Sequence, residues 1–267
     1  MSRALAVLLI ALLLGPIVWM LAASVLPENE IFSGTPVHAL TNASLDHYRA
    51  LFDERGFLLP IRNSLIVAGL TTLIALPCAT LCAYALARLP MRGKGLFLAL
   101  LLAVSMFPQI SVVAPLFLVL RATGLIDTYP GLVLPYVTFT MPLAVWLLTG
   151  FFRQLPRDLE DAAMIDGASR LRVIRDVVLP IAAPGLASTA ILMFLYCWNE
   201  FLFALSFTFG PERQTVPVAI ALFRGRYQIA WGEVLAGAAV ATLPVVIVVL
   251  AFQRRIVAGL TSGAMKG

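Results

Sequence analysis

Charge is scarce in this sequence. Asp, Glu, Lys and Arg make up 12% of 267 residues, about half of the ~25% usual in globular chains. So little charge with 61% hydrophobic residues and a mean hydropathy of +0.95 excludes disorder and a water-soluble domain of this length, and points to a membrane. Cysteine is also sparse. Cys78, Cys82 and Cys197 all lie in apolar runs, which excludes a disulfide framework and reads as small buried hydrophobes. The two histidines, His38 and His47, lack a Cys or His partner at ligand spacing, so no metal site is expected.

Catalytic signatures are missing too. The position five before Gly93-Lys94 is Arg88, so the phosphate-loop spacing Gly-x4-Gly-Lys fails and the chain itself is not expected to bind ATP. Neither Gly-x-Ser-x-Gly nor His-Glu-x-x-His occurs.

What the chain does have is six apolar runs, at about 5–26, 63–87, 96–120, 131–150, 184–207 and 233–252. Each is long enough for a membrane span, which takes about 20 residues. Lipid leaves an open chain only the helix as a way to satisfy its backbone. The expectation is an all-α membrane protein of six transmembrane helices, a single transmembrane domain over 1–267. The first run exceeds the roughly 7–15 apolar residues of a signal-peptide core and is read as a retained helix.

The basic residues sort by side. With the N-terminus inside, inner segments carry Arg3, Arg88, Arg92, Lys94, Arg153, Arg157, Arg170, Arg172, Arg175, Arg254, Arg255 and Lys266, twelve of nineteen, against five acids. Outer segments carry seven basic residues against eight acids. This positive-inside asymmetry places both termini in the cytoplasm. It also accounts for a pI near 9.4 without nucleic acid.

Polar groups inside the runs are few. Gln109 follows Pro108, and Asn199 precedes Glu200; these three are the candidates for a substrate path. Glu200 is read either as lining that path or as a helix-end residue paired with a neighbour, since an uncompensated carboxylate in lipid is costly. Aromatics such as Phe107, Tyr136, Phe139, Trp146, Phe194, Tyr196 and Trp198 have flat faces open to stacking, but read first as packing.

The sizeable inner loop, 151–183, is the most informative segment. Pro156 is placed to open a helix, with Asp158, Glu160 and Asp161 near its start, where the dipole favours acids. Gly167 is a stop or bend, and Ser169 can cap a second helix. In that helix Leu171, Ile174 and Val178 recur at helical spacing beside Val173 and Val177, opposite Arg170, Arg172, Arg175 and Asp176. Pro180 is expected to end it and Pro184 to open the next span. The loop has no aromatic between Pro156 and Pro180 but has small Ala162, Ala163 and Ala168, which favours docking on a protein over lying on lipid.

The order Asp161-Ala162-Ala163, three residues, Gly167, nine residues, Val177-x-Leu179-Pro180 resembles the EAA motif of ABC-importer permeases, with Asp for Glu and Val for Ile. Glu160 stands beside Asp161 as a substitute for the family's carboxylate. Asn63-Ser64, Met106-Phe107-Pro108, Trp198-Asn199-Glu200-Phe201 and the tail Phe252–Gly267 are similar to the carbohydrate (MalG-like) subfamily, nearest in look to trehalose- and maltose-type importers. The resemblance implies a type I ABC-importer permease of the bacterial or archaeal cytoplasmic membrane. It implies a non-catalytic subunit paired with a second homologous permease, two ATP-binding-cassette ATPase subunits that carry the ATP and Mg, and an extracytoplasmic sugar-binding protein. Asp161, Ala162, Ala163, Asp166, Gly167, Ala168, Leu179 and Pro180 are then the ATPase-coupling residues. Gly263 and Lys266 touch the ATPases through the tail, and the outer loop 208–232 faces the binding protein. A non-sugar solute such as glycerol phosphate or a polyol, or a self-sufficient secondary carrier, are the alternatives.

Overall fold

The computed structural model describes residues 3–32, 42–223 and 229–264, with side chains at Arg3, Ala6 and beyond Phe252 excepted. Regular structure among them is helical, without a strand. In chain order the helices are α1 (Arg3–Ala23), α2 (Asp46–Arg49, continued by a π turn over Ala50–Glu54), α3 (Leu58–Arg88), α4 (Lys94–Ser105), α5 (Gln109–Ala122) and α6 (Tyr129–Gln154). Then come α7 (Asp158–Ile165), α8 (Arg170–Val173, continued by a π turn over Ile174–Val178), α9 (Leu179–Asn199), α10 (Leu202–Phe207), α11 (Val216–Ala221) and α12 (Trp231–Ala264).

Four stretches are unbroken and apolar enough to cross a membrane: α3, α6, Arg170–Asn199 and α12 through Phe252. Two of the apolar runs are not single helices. The run 96–120 breaks between α4 and α5 with a bend of 85°. Pro108 sits there with extended backbone, ψ 117°. It has no N–H to continue the ladder, and it pushes the residue before it out of the helical region. The run 184–207 stops at Asn199, because Glu200 is extended at ψ 130° and its carboxylate caps the restart: Oε1 accepts from Phe203 N–H at 2.8 Å and Oε2 from Ala204 N–H at 3.1 Å. The run 63–87 begins earlier than expected, at Leu58, and α1 ends at Ala23 rather than 26.

Pro180 does not end a helix. The chain is continuous from Arg170 to Asn199. Ahead of the proline the ladder widens into the π turn, with Leu179 N–H bonded to Ile174 O. A widened turn relieves the clash between a proline ring and the carbonyl four residues back.

The chain forms two compact units. The first comprises residues 1–63 and 210–246. Glu28 accepts from Trp231 N–H at 2.7 Å and Gly232 N–H at 2.9 Å, satisfying two orphan donors at the start of α12. Arg55 Nε donates to Glu233 at 2.8 Å, and the buried Asn63 amide donates to Glu212 O and Gln214 O. A Cβ on Gly232 would lie 2.2 Å from the His47 imidazole, so that approach needs glycine.

The second unit comprises 64–209 and 247–267. Its core joins the alanine row Ala75, Ala79, Ala83 and Ala87 of α3 with Ala144, Leu148 and Phe152 of α6, Val173 and Val178 of the α8 stretch, and Ala182 and Met193 of α9. Small residues at every fourth position let helices approach closely where lipid gives no hydrophobic drive. Gly185 of α9 does the same against Phe151, whose ring would lie 2.6 Å from an added Cβ.

Candidate functional site

The 155–180 segment folds as helix, bend, helix. Leu155 turns extended at ψ 137°, ending α6, and α7 begins at Asp158 with its three acids in the first turn. At the other end Ala168 N–H bonds to Ala163 O at 3.0 Å and Gly167 N–H to Met164 O at 3.1 Å. Gly167 has φ +86°. These two bonds and the left-handed glycine make a Schellman stop. Ala163 and Ala168, at the two ends of the longer bond, are both half-buried against the core of the second unit. Ser169 Oγ then accepts from Arg172 N–H at 3.4 Å, capping α8.

The apolar residues of this segment divide between two directions. Val173 and Val178 are buried in the core, with Ile174 and Val177 packed against it, so the amphipathic face read from 171–178 is largely spent inside the chain. Turned away are Leu159 and Met164 and, furthest of all, Ile165, 86% exposed, and Leu171, 77% exposed. Asp161, Ala162, Asp166 and Gly167 are exposed beside them, as is Pro180, and Leu179 is half-buried. The result is a displayed tip with acids, small residues and bare apolar side chains, Ile165 and Leu171 foremost.

Glu160 cannot stand in for Asp161. It points inward. Its Oε1 accepts from Arg88 Nε at 2.6 Å, and its Oε2 from the Tyr84 hydroxyl at 2.9 Å. The two charged side chains are only 7% and 6% exposed. Arg88 Nη2 also donates to Leu155 O at 2.9 Å, and Tyr84 stands edge-on to Phe152. One guanidinium at the end of α3 therefore holds the end of α6 and the start of α7. Removing either partner of a buried pair like this costs about 3–5 kcal/mol, because the other charge is left buried alone. Arg88 and Tyr84 carried no local signal for this role, since they lie more than seventy residues from Glu160 in sequence.

The substrate-path candidates separate. Glu200 is 7% exposed. Besides capping α10 it accepts from the Tyr136 hydroxyl at 2.5 Å, so its oxygens are committed within the fold. The Asn199 amide donates to Leu195 O of its own helix at 2.7 Å. Gln109, just past the bend, donates to the Tyr196 hydroxyl. A cavity of about 190 Å³ in the second unit is lined by Phe139, Thr140, Leu192, Met193 and Tyr196 among others. None of the three path candidates lines it. Of the tail residues, Lys266 lies outside the described residues, and Gly263 lies in the part of α12 whose side chains are not described.

Long apolar helices and a braced loop that displays its tip define a class: a helical membrane protein. The model of the family described as "binding-protein-dependent transport system inner membrane component" matches residues 75–262, and the chain belongs to that family. It is 45% identical over 97% of its length to the trehalose transport system permease protein SugB of Mycobacterium tuberculosis, covering 95% of that protein. It is 44% identical to the trehalose/maltose transport system permease protein MalG of Thermococcus litoralis, with 98% of this chain and 95% of that protein covered. It is 40% identical to the sulfoquinovosyl glycerol transport system permease protein SmoH of Agrobacterium fabrum, covering 95% and 89%. A crystal structure of a bacterial ABC transporter involved in import of the acidic polysaccharide alginate shares the fold, with a TM-score of 0.77 over 95% of this chain and 98% of that one at 22% identity. The protein is thus a permease component of an importer in the cytoplasmic membrane.

Proposed function

We propose that this chain is the transmembrane subunit of an ATP-binding-cassette importer that takes up a sugar, a disaccharide of the trehalose or maltose kind. It crosses the membrane six times with both termini in the cytoplasm. The 21 residues of α1 reach about 31 Å at ~1.5 Å per residue, close to the ~30 Å of a hydrocarbon core, and the bent α4–α5 pair counts as one span. It pairs with a second homologous permease, sits in membrane lipid, rests on two ATPase subunits that bind ATP and Mg, and receives sugar from an extracytoplasmic binding protein. The names of two relatives at 45% and 44% identity support the sugar. A related alginate transporter crystallised with its pentasaccharide-bound periplasmic protein supports the binding protein.

The observation that carries this reading is the displayed tip. Asp161, Ala162, Asp166 and Gly167 stand exposed beside Ile165 and Leu171, at the positions the EAA resemblance assigns to ATPase coupling. An apolar tip of this kind gains from being covered by protein. When the ATPases close on ATP, the tips of the two permeases approach each other and the helical units rock from inward-open to outward-open. Gln109, Asn199 and Glu200 border the path, Glu200 by fixing the break at which α9 gives way to α10. Gly263 and Lys266 add contacts from the tail.

The test is reconstitution. Proteoliposomes holding both permeases and the ATPases should accumulate trehalose or maltose only when binding protein and ATP are supplied. A panel including a glycerol-linked sugar, glycerol phosphate and a polyol fixes the solute. Uptake by this chain alone, without ATP, would refute the proposal.

A further inference from the structure

We infer that Arg88, Tyr84 and Glu160 form the joint through which the loop drives the membrane helices, with Arg88 and Glu160 acting as positioning residues for transport. The inference rests on the importer reading above. The coupling surface is exposed, but a surface that only docks transmits nothing unless its other end is stiff. In the second unit the second helix of the loop runs on into α9 and buries Val173 and Val178 in the core, and its first helix, α7, is held by a buried polar cluster. Arg88 closes α3, and its guanidinium reaches Glu160 in the first turn of α7 and Leu155 O at the end of α6. Tyr84, one turn earlier on α3, takes the second carboxylate oxygen and leans on Phe152. Both oxygens of Glu160 are therefore held from α3, which leaves α7 little freedom to swivel.

The geometry also separates neighbouring acids by task. Asp161 is exposed and free to meet a partner, whereas Glu160 is sealed and engaged inside. Burying a carboxylate is costly unless it is paired and hydrogen-bonded, as Glu160 is by Arg88 and Tyr84. Here it fixes α7 to two long helices, so a push on the tip is delivered to α3 and α6 together. A docking loop without this joint would still bind an ATPase and still stimulate it, but α7 would pass less of the push to α3 and α6.

The test reads sugar moved per ATP hydrolysed, which a loss of folded protein does not change. In reconstituted complexes, Glu160→Gln and Arg88→Lys should lower that ratio roughly fivefold or more, the lower end of coupling between sites, while copurification with the ATPases persists. Unchanged ratios in assembled variants would overturn the joint. A second measurement leaves the joint intact. Spin labels at Leu81→Cys on α3 and Asp158→Cys on α7, with Cys78, Cys82 and Cys197 replaced by Ser, report the α3–α7 distance without nucleotide and with ATP trapped. A distance constant to within a label's width supports a rigid joint; a change larger than that overturns it. If the unaltered complex transports nothing, the importer reading fails instead.

Discussion

At the scale of single residues, the bend at Gly167 is set by backbone geometry. Its φ of +86° costs a residue with a Cβ about 1–2 kcal/mol, and a β-branched one meets further crowding. Nothing lies within 4 Å of the place a Cβ would occupy, so the penalty is conformational, and membrane insertion should be spared. Gly167→Val is expected to retain ATPase activity of the assembled complex and lose most uptake; native uptake would contradict the account. Asp161 makes the complementary case. Its carboxylate is exposed and adds to the fold only the ~0.3–1 kcal/mol of an acid in a helix's first turn, so Asp161→Lys should insert normally and lower the ATPase recovered by copurification. An unchanged yield would count against its place in the interface. The two glycine approaches, Gly185 to Phe151 and Gly232 to His47, serve packing.

At the scale of elements, the two helix breaks matter most. Pro108 creates the 85° turn between α4 and α5. Pro108→Ala restores an N–H and removes the ring, so the pair should straighten; labels at Leu96 and Leu118 should move apart by roughly 10 Å, given ~1.5 Å of rise per residue. An unchanged spacing would show that packing, not proline, holds the bend. What could be read from sequence here was whatever is local. The Gly167 stop and the Ser169 cap are written in neighbouring residues and formed as expected. The break at Glu200 was open to two readings, because capping by its own side chain depends on which backbone donors lie near. The π turn ahead of Pro180 was not legible, since a proline can end a helix or be absorbed by a wider turn. The pairing of Arg88 with Glu160 was invisible, since 72 residues separate them and Arg88 already had a sufficient explanation as an inner-side charge.

At the scale of the molecule, composition and charge order were enough for the class, a helical membrane protein. Spacing in one loop was enough for the family, to which the chain belongs. The solute was not legible, because sugar recognition depends on which aromatic faces and hydroxyl partners line one space across a whole assembly. The central claim is that the tip of the 156–180 segment presses on a separate ATPase. It is tested most directly by placing a photo-crosslinking side chain at Ile165, the most exposed apolar residue of the tip, in the assembled complex. The account predicts a crosslink to the ATPase subunit whose yield changes when ATP is trapped. A crosslink to lipid alone would contradict it.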